Sequence, residues 1–334
     1  MKIGNREFQT KGHTYVMGIL NVTPDSFSDG GKWNDRDRAL RHVEEMIQEG
    51  ADIIDIGGES TRPGHTFLPE DEEMDRVLPV IEAVKAAFDV PVSLDTYKAR
   101  VASAGIAAGA DLINDVWGLK YDGWSQGGAD VPGDGAYVPD NGVDAPDSGA
   151  GRQEGSGAGR QEGSGADRQE GSGTGGQEGS RTGSAMAQVI AESGLPCCLM
   201  HNRKNADYQD FVHDVISDME ETLRLAEQAG IRKEKIILDP GVGFAKNYEQ
   251  NLEIIRRMGE LGTLGCPLLL GCSRKSVIGL TLDLPADQRL EGTLVTTVAG
   301  VLQGAMFVRV HDVRENVRAV RMAEAIFMEH ALGS

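Results

Sequence analysis

Residues that could do chemistry recur at one position in this 334-residue sequence, the carboxyl end of each short apolar run. Each of eight such runs leads into a carboxylate, amide, hydroxyl, imidazole or cationic side chain. These residues are Asn21, Asp55, Asp95, Asn114, Asp115, His201, Asp239, Ser273, Arg274, Lys275, Arg309 and His311. A single Asp or Asn at such a place more often caps a helix or forms a turn. When all eight apolar runs end in such residues, the pattern predicts that the side chains share one site.

These run-end residues include two chemical sets. Carboxylates and an amide end the middle runs, and cationic donors end the last two. The first set is Asp95, Asn114 and Asp239, and the second is Lys275, Arg309 and His311. The segment 271–276, GCSRKS, has the small residues and hydroxyls typical of a phosphate-binding loop. The residues therefore predict a pocket for a polar planar ligand beside an anion.

The elements that must position this site alternate along the chain. Strands are predicted at residues 15–20, 52–56, 90–94, 111–113, 196–200, 235–238, 267–270 and 305–310. Helices are predicted after them, at residues 36–48, 71–88, 98–108, 185–193, 208–228, 248–261, 290–303 and 313–330. A helix after each strand indicates a parallel sheet closed into a (β/α)₈ TIM barrel, whose active site lies at the carboxyl ends of the strands. An open doubly wound sheet is the alternative, but the GxGxxG turn typical of it does not follow the first strand.

Three connecting segments have predicted roles around this barrel. Residues before Tyr15 are expected to form a short N-terminal hairpin at the barrel floor. The loops at 21–31 and 57–64 are rich in Gly, Pro and Ser, and such loops on the catalytic face often act as lids. The other interpretation is that they are ordinary connections, for which Phe27 and Arg62 are unusual residues.

One segment, residues 122–184, differs in composition from the rest of the chain. Gly, Ser, Asp, Gln and Glu dominate it, and the octad GRQEGSGA at 151–158 repeats immediately at 159–166. Because so polar a repeat buries no apolar surface, nothing opposes the entropy lost on ordering it. The sequence therefore predicts one barrel domain over residues 1–334, interrupted after the fourth strand by a disordered low-complexity insertion.

Composition narrows the class of protein. The net charge of −19 argues against a nucleic-acid binder, which usually carries a basic surface. The sequence has no apolar stretch of about 18 residues, so no membrane span is expected, and its first residues lack the apolar run of a signal peptide. The four cysteines include no CxxC pair and are expected to be reduced. We expect a cytoplasmic protein that binds neither nucleic acid nor membrane.

Eight segments resemble, in order, the motifs of the dihydropteroate synthase family. They are MGILNVTPDSFSDGG, IDIGGESTRPG, SLDTYK, INDVWG, LMHNR, ILDPGVGFAKN, GCSRKS and RVHDV. The resemblance covers nearly the whole chain outside the insertion. It implies a transferase of folate biosynthesis that condenses 6-hydroxymethyl-7,8-dihydropterin pyrophosphate with p-aminobenzoate to give 7,8-dihydropteroate and pyrophosphate.

The resemblance also implies roles for individual residues. For the pterin these are Asp95, Asn114, Met200, Asp239, Lys275 and Arg309. For the pyrophosphate they are Asn21, Arg309 and His311, with Asn21 acting through Mg²⁺. For p-aminobenzoate they are Thr61, Arg62, Pro63, Phe244, Lys275 and Ser276. The implied catalytic residues are Asp95, Asp239, Lys275 and Arg309. The family further implies Mg²⁺ as a cofactor, a homodimer, and sulfonamides as inhibitors.

Two other functions stay open on the sequence alone. A pterin-binding methyltransferase module of the corrinoid type shares the barrel and the acidic residues, but it does not need SRKS, RVH and the 21–31 loop together. A catalytically silent paralogue, acting as a partner in the folate pathway, is the second alternative. Loss of Lys275 or of the 21–31 loop would favour that paralogue, and both are present.

Overall fold

The eight apolar runs form eight parallel strands that close into a barrel in the computed structural model, which describes residues 1–22, 32–59, 68–121 and 184–327. The barrel strands are β3 (Tyr15–Asn21), β4 (Ile53–Gly57), β5 (Val92–Asp95), β6 (Leu112–Asp115), β7 (Cys197–Met200), β8 (Ile236–Asp239), β9 (Leu268–Leu270) and β10 (Ala305–Val310). They are arranged in chain order, and β10 pairs with β3 to close the ring. The predicted (β/α)₈ barrel is confirmed.

Helices connect consecutive strands and pack around the barrel. They are α1 (Lys32–Glu49), α2 (Glu70–Ala87), α3 (Ala99–Ala108), α4 (Ala185–Ser193), α5 (Phe211–Ala229), α6 (Tyr248–Arg257), α7 (Ser276–Leu282), α8 (Leu290–Leu302) and α9 (Val313–Phe327). Each longer helix buries an apolar stripe at helical spacing, as Val77, Ile81 and Val84 do in α2. The helices therefore hold the strands in place from outside and leave the strand ends open for function.

The inside of the barrel is a second, smaller core closed at its floor by a hairpin. Strands β1 (Lys2–Ile3) and β2 (Arg6–Glu7) pair antiparallel, as the predicted hairpin requires. Ile3 and Phe8 are buried with Met17 and Phe307, and the Phe8 and Phe307 ring centroids are 5.6 Å apart. Because apolar side chains plug this end of the barrel, we expect a ligand to enter the barrel interior from the carboxyl ends of the strands.

Two helical segments differ in kind from the prediction, and two others differ in where they begin, since α1 begins at Lys32 rather than at 36 and α5 at Phe211 rather than at 208. The span 248–261 is helical only to Arg257 and continues as a 3₁₀ segment, Met258–Leu264, in which Gly259 and Gly262 weaken the α-helix. Helix α7 is an additional helix between β9 and α8. It has only seven residues, so its sequence shows too little periodicity to predict it.

Several predictions lie outside the described residues. They concern the disordered insertion, apart from its last residue, and most of the two lid loops, at 23–31 and 60–67. The chain divides into two units, one made of residues 1–140 and 183–334, which includes every described residue, and one made of residues 141–182. Within the described part of the chain, no helix is long and apolar enough to cross a membrane.

Candidate functional site

The predicted site residues that the structure describes lie at or just beyond the carboxyl ends of the barrel strands. Four of them are buried, namely Asp95, Asn114, Met200 and Asp239. Six are half-buried, namely Asn21, Phe244, Lys275, Ser276, Arg309 and His311. The remaining three, Thr61, Arg62 and Pro63, lie outside the described residues. Parallel strands end on the same edge of a barrel, so the ten described residues surround one mouth.

Arg309 reaches from β10 to two carboxylates on neighbouring strands. Its Nε donates to Asp55 Oδ2 at 2.5 Å, and its Nη2 donates to Asp95 Oδ2 at 2.5 Å. Burial would lower the pKa of Arg309, but the attraction of Asp55 and Asp95 outweighs burial and raises it. The guanidinium is therefore a cation held in a fixed position before any ligand arrives.

Asp55 anchors this side of the mouth, although the sequence suggested no role for it beyond its place at a strand end. Its side chain is fully buried, and Oδ2 also accepts from Asn114 Nδ2 at 3.4 Å. Oδ1 has no hydrogen-bond partner among the described residues. Burial raises the pKa of the neighbouring Asp95 to about 7; Arg309 opposes the rise and Asp55 adds to it. Asp55 thus orients a guanidinium and an amide that face the mouth.

Asp239 and Lys275 approach each other around Gly271, the residue that follows β9. A Cβ atom on Gly271 would lie 3.4 Å from Asp239 Oδ2 and 3.9 Å from Lys275 Nζ. Asp239 Oδ1 accepts from the backbone N–H of Gly241 at 2.7 Å. Burial raises the pKa of Asp239 and lowers that of Lys275, while each charge opposes the shift of the other group. A carboxylate acceptor and an ammonium donor therefore share one small region.

Lys275 also contacts the loop that joins β8 to α6. Its Nζ donates to Val242 O at 2.5 Å and lies 4.9 Å from the centroid of the Phe244 ring. The next residue, Ser276, begins α7. Three residues that were predicted to act on the same ligand, Phe244, Lys275 and Ser276, are thus on one side of the mouth.

His311 ties the ends of β9 and β10 together. Its Nδ1 is 3.0 Å from Ser273 Oγ, and its backbone N–H donates to the same oxygen at 3.2 Å. Arg274, another of the run-end cations, is paired with Asp312, to which its Nε donates at 3.0 Å. This pairing gives Arg274 a structural role at the rim.

Lys98 was missed by the sequence reasoning, because nothing in the sequence marks it as buried. Its Nζ donates to Glu59 Oε2 and Glu73 Oε2, both at 2.6 Å, and to Leu68 O at 2.5 Å. The side chains of Lys98 and Glu73 are 2% and 1% exposed. Glu59 and Leu68 flank residues 60–67. Lys98 therefore fastens both ends of the segment that contains Thr61, Arg62 and Pro63.

The described residues at the mouth are compatible with a magnesium ion whose other ligands are substrate phosphates and water. No group of three His, Cys, Asp or Glu in the described part of the chain could hold a metal ion. Mg²⁺ often keeps several waters and uses one or two protein ligands together with substrate phosphates. Asn21, half-buried at the end of β3, offers an amide oxygen of the required kind. Mg²⁺ stays a prediction, with Asn21 as its protein ligand.

Comparisons with known proteins agree with this geometry. The family described as "Pterin binding enzyme" matches residues 17–126 and 175–311. A dihydropteroate synthase from Clostridium beijerinckii is 47% identical over 327 residues, which cover 98% of this chain and 99% of the relative. The crystal structure of a dihydropteroate synthase from Clostridium difficile, determined in the presence of pteroic acid, superposes with a TM-score of 0.75 at 42% identity and covers 95% of this chain and 98% of that one. A Yersinia pestis dihydropteroate synthase in complex with a sulfonamide drug has a TM-score of 0.74 at 35% identity, covering 98% of both chains.

Proposed function

The chain belongs to the dihydropteroate synthase family, and from this premise we propose how its own residues carry out the reaction. It is a transferase of folate biosynthesis that forms the C–N bond of 7,8-dihydropteroate. Its substrates are 6-hydroxymethyl-7,8-dihydropterin pyrophosphate and p-aminobenzoate, and pyrophosphate is released. The resemblance seen in the sequence is confirmed, and the relatives favour it over a corrinoid-type methyltransferase module. One observation carries the residue assignments below, the convergence of Asp95, Asp239, Lys275 and Arg309 on one barrel mouth.

The pterin is assigned to the buried acceptors. Carboxylates accept the paired N–H groups of a pterin edge, and an amide can donate and accept at once, so Asp95, Asp239 and Asn114 suit this ring. Met200, buried and opposite Asp239 in the strand register, would line the pocket with an apolar surface. Both carboxylates would also stabilise positive charge that develops on the pterin as the leaving group departs.

The pyrophosphate is assigned to Arg309, His311 and Asn21. Arg309 is already fixed by Asp55 and Asp95, so it needs no reorganisation when negative charge develops. Mg²⁺, when bound through Asn21, would supply further charge neutralisation for the leaving group. The amine lone pair of p-aminobenzoate forms the new bond to the methylene carbon. The bond from that carbon to the pyrophosphate oxygen breaks, and the amine then loses a proton.

For p-aminobenzoate we propose Phe244, Lys275 and Ser276, with Thr61, Arg62 and Pro63 from the second loop. The stacking of the Lys275 ammonium on the Phe244 ring supports an aromatic ligand with a negative charge at this place. A sulfonamide drug carries a similar aryl amine, so we infer that sulfonamides compete for the same pocket. Lys98, which fastens both ends of the 60–67 segment, supports the participation of that segment.

We further propose a homodimer in the cytoplasm. Apolar side chains are exposed on three helices that contact one another, α6, α7 and α8. They are Leu252 at 41%, Leu280 at 41%, Leu282 at 43%, Val295 at 70% and Leu302 at 50%. An exposed apolar surface of this kind supports a protein interface, which sedimentation of the wild type and of Val295→Lys would test. The four buried free thiols support a reducing compartment.

One assay tests the activity. Purified protein with the pterin pyrophosphate and Mg²⁺ should release pyrophosphate only when p-aminobenzoate is added, and 7,8-dihydropteroate should form in equal amount. Lys275→Ala is the matched control and should turn over more slowly than the wild type. A folded wild type that forms no dihydropteroate would favour the silent paralogue instead.

A further inference from the structure

The loop 240–247, between β8 and α6, has a strongly curled backbone. Gly241, Gly243 and Ala245 have positive φ angles of +71°, +83° and +46°. Glycine is required at 241, because a Cβ atom there would lie 2.0 Å from His201 O. Ala245 has a side chain and adopts this conformation at an energetic cost. Side-chain contacts are therefore needed to hold the curl.

Lys246 supplies those contacts from its buried side chain. Its Nζ lies 3.0 Å from Gly241 O, 3.1 Å from Phe244 O and 2.9 Å from His201 Nδ1. An ammonium has three N–H donors, so each donor has an acceptor. Burial lowers the pKa of Lys246 to about 7, while the nearby Asp239 carboxylate opposes the shift. Three acceptors around Nζ favour the ammonium form.

His201 connects Lys246 to an acidic residue on α5. Its Nε2 is 2.9 Å from Asp218 Oδ2. Burial lowers the pKa of His201 to about 3, so the ring is neutral at physiological pH. A neutral ring that accepts from Lys246 at Nδ1 carries its proton on Nε2 and donates it to Asp218. Arg203 donates to both oxygens of Asp218, from Nε to Oδ2 and from Nη2 to Oδ1, the latter at 3.1 Å. In the hydrogen-bonded series Lys246–His201–Asp218, each donor thus faces an acceptor.

The other side of the loop faces the site. Val242 O accepts from Lys275 Nζ, and the Phe244 ring lies beneath that same nitrogen. Val242 is located between Gly241 and Phe244, the two residues whose carbonyls Lys246 holds. We propose that Lys246, oriented by His201, is a positioning residue for the p-aminobenzoate pocket, because it fixes the loop on which Lys275 and Phe244 depend. The inference rests on the proposed assignment of Lys275 and Phe244 to p-aminobenzoate.

Lys246→Met tests this directly, with Lys235→Met as the matched control. Lys235 donates to Gly194 O in an exposed setting at the amino end of β8, the end of the barrel opposite the site. We expect Lys246→Met to raise the KM of p-aminobenzoate about tenfold or more, while the calorimetric Kd of the pterin pyrophosphate changes less than about threefold. Two of the pterin acceptors, Asp95 and Asn114, lie on other strands, and the third, Asp239, lies in β8 and not in the loop, which is why pterin binding should be affected less. If Lys246 had only a structural role, Lys246→Met would lower Tm and leave the KM of p-aminobenzoate unchanged. We expect an unchanged KM for Lys235→Met as well.

Two substitutions of His201 provide a second measurement that does not need Lys246→Met to fold. In His201→Asn, the amide oxygen lies near the position of Nδ1 and can still accept from Lys246. In His201→Gln, the amide nitrogen lies near the position of Nε2, so the bond to Asp218 is kept and the bond from Lys246 is lost. His201→Asn should keep the KM of p-aminobenzoate within about threefold of wild type, and His201→Gln should raise it about tenfold.

A folded Lys246→Met with wild-type KM, or equal KM values for the two His201 variants, would overturn the inference. Lys275→Ala is measured in parallel to separate two kinds of failure. If Lys275→Ala also has a normal KM, the assignment of the pocket is wrong. If only Lys275→Ala is impaired, the pocket assignment stands and the positioning role of Lys246 is refuted.

Discussion

Replacing Lys98 with Met should lower the free energy of unfolding by about 4 kcal/mol, since removing one member of a buried ion pair costs about 3–5 kcal/mol. The Lys98 ammonium is 2.6 Å from both Glu59 and Glu73, and its side chain is 2% exposed. Met has a similar length and no charge, so the substitution removes the cation with little loss of packing. Two buried carboxylates would then have no cation between them.

The loss should depend on pH. Burial raises the pKa of Glu73, and Lys98 opposes that rise, so the pKa should rise further in the variant. A carboxyl group whose folded pKa lies above its unfolded value destabilises the folded state at high pH. It takes up a proton as the pH falls, and the penalty is then relieved. The difference in stability between wild type and Lys98→Met should therefore be greater at pH 8 than at pH 5.5.

Urea denaturation at the two pH values measures both effects. Lys85→Met is the matched control, because the Lys85–Asp111 pair is 31% and 15% exposed and should contribute only about 0–1 kcal/mol. Adding Glu73→Gln to Lys98→Met should recover part of the lost stability at pH 8. A loss below about 1 kcal/mol at pH 8, or an equal loss at both pH values, would refute the reasoning.

Three further predictions concern the reaction. Lys275→Ala and Arg309→Ala should each cost about 2 kcal/mol or more of transition-state stabilisation, measured as kcat/KM; activity within twofold of wild type in both would contradict the assignment. Asp95→Asn should weaken binding of the pterin pyrophosphate. In the wild type that binding should weaken as the pH falls below about 7, where Asp95 gains a proton; calorimetry across pH 6–8 tests both statements. Sulfonamides should bind measurably only with pyrophosphate or the pterin pyrophosphate present, and tight binding to the protein alone would count against this order.

Much of the fold could be predicted because its signals are local. Strand β10 and helix α4 have the predicted bounds, and the other strands begin and end within two residues of the prediction. Short apolar runs and helical periodicity follow directly from which face each element buries. Helix α7 escaped prediction because seven residues give a weak periodic signal.

Most of the predicted site residues stood out for a similar reason, since they lie at or beside the end of an apolar run. Thr61, Arg62, Pro63 and Phe244 lie farther along their loops and were named from the family resemblance alone. The partners of the site residues could not be predicted in the same way. Lys98 and Lys246 look like surface lysines in the sequence, and their burial depends on acceptors supplied by other segments of the chain. Glu59 is 39 residues from Lys98, and His201 is 45 residues from Lys246. Asp55 is 254 residues from Arg309. Pairing of neighbouring strands brings the first two pairs together, and closure of the barrel brings the third together.

The closure of the barrel by β10 also bears on how the protein is made. Translation delivers the buried carboxylates of Asp55 and Asp95 long before Arg309, which follows them by 254 and 214 residues. The seam between β10 and β3 is likewise the last barrel contact that a growing polypeptide can form. Until residue 310 has left the ribosome, the nascent chain therefore has an open sheet, and Asp55 and Asp95 lack the Arg309 guanidinium. Affinity for a pterin ligand should appear late and abruptly during synthesis.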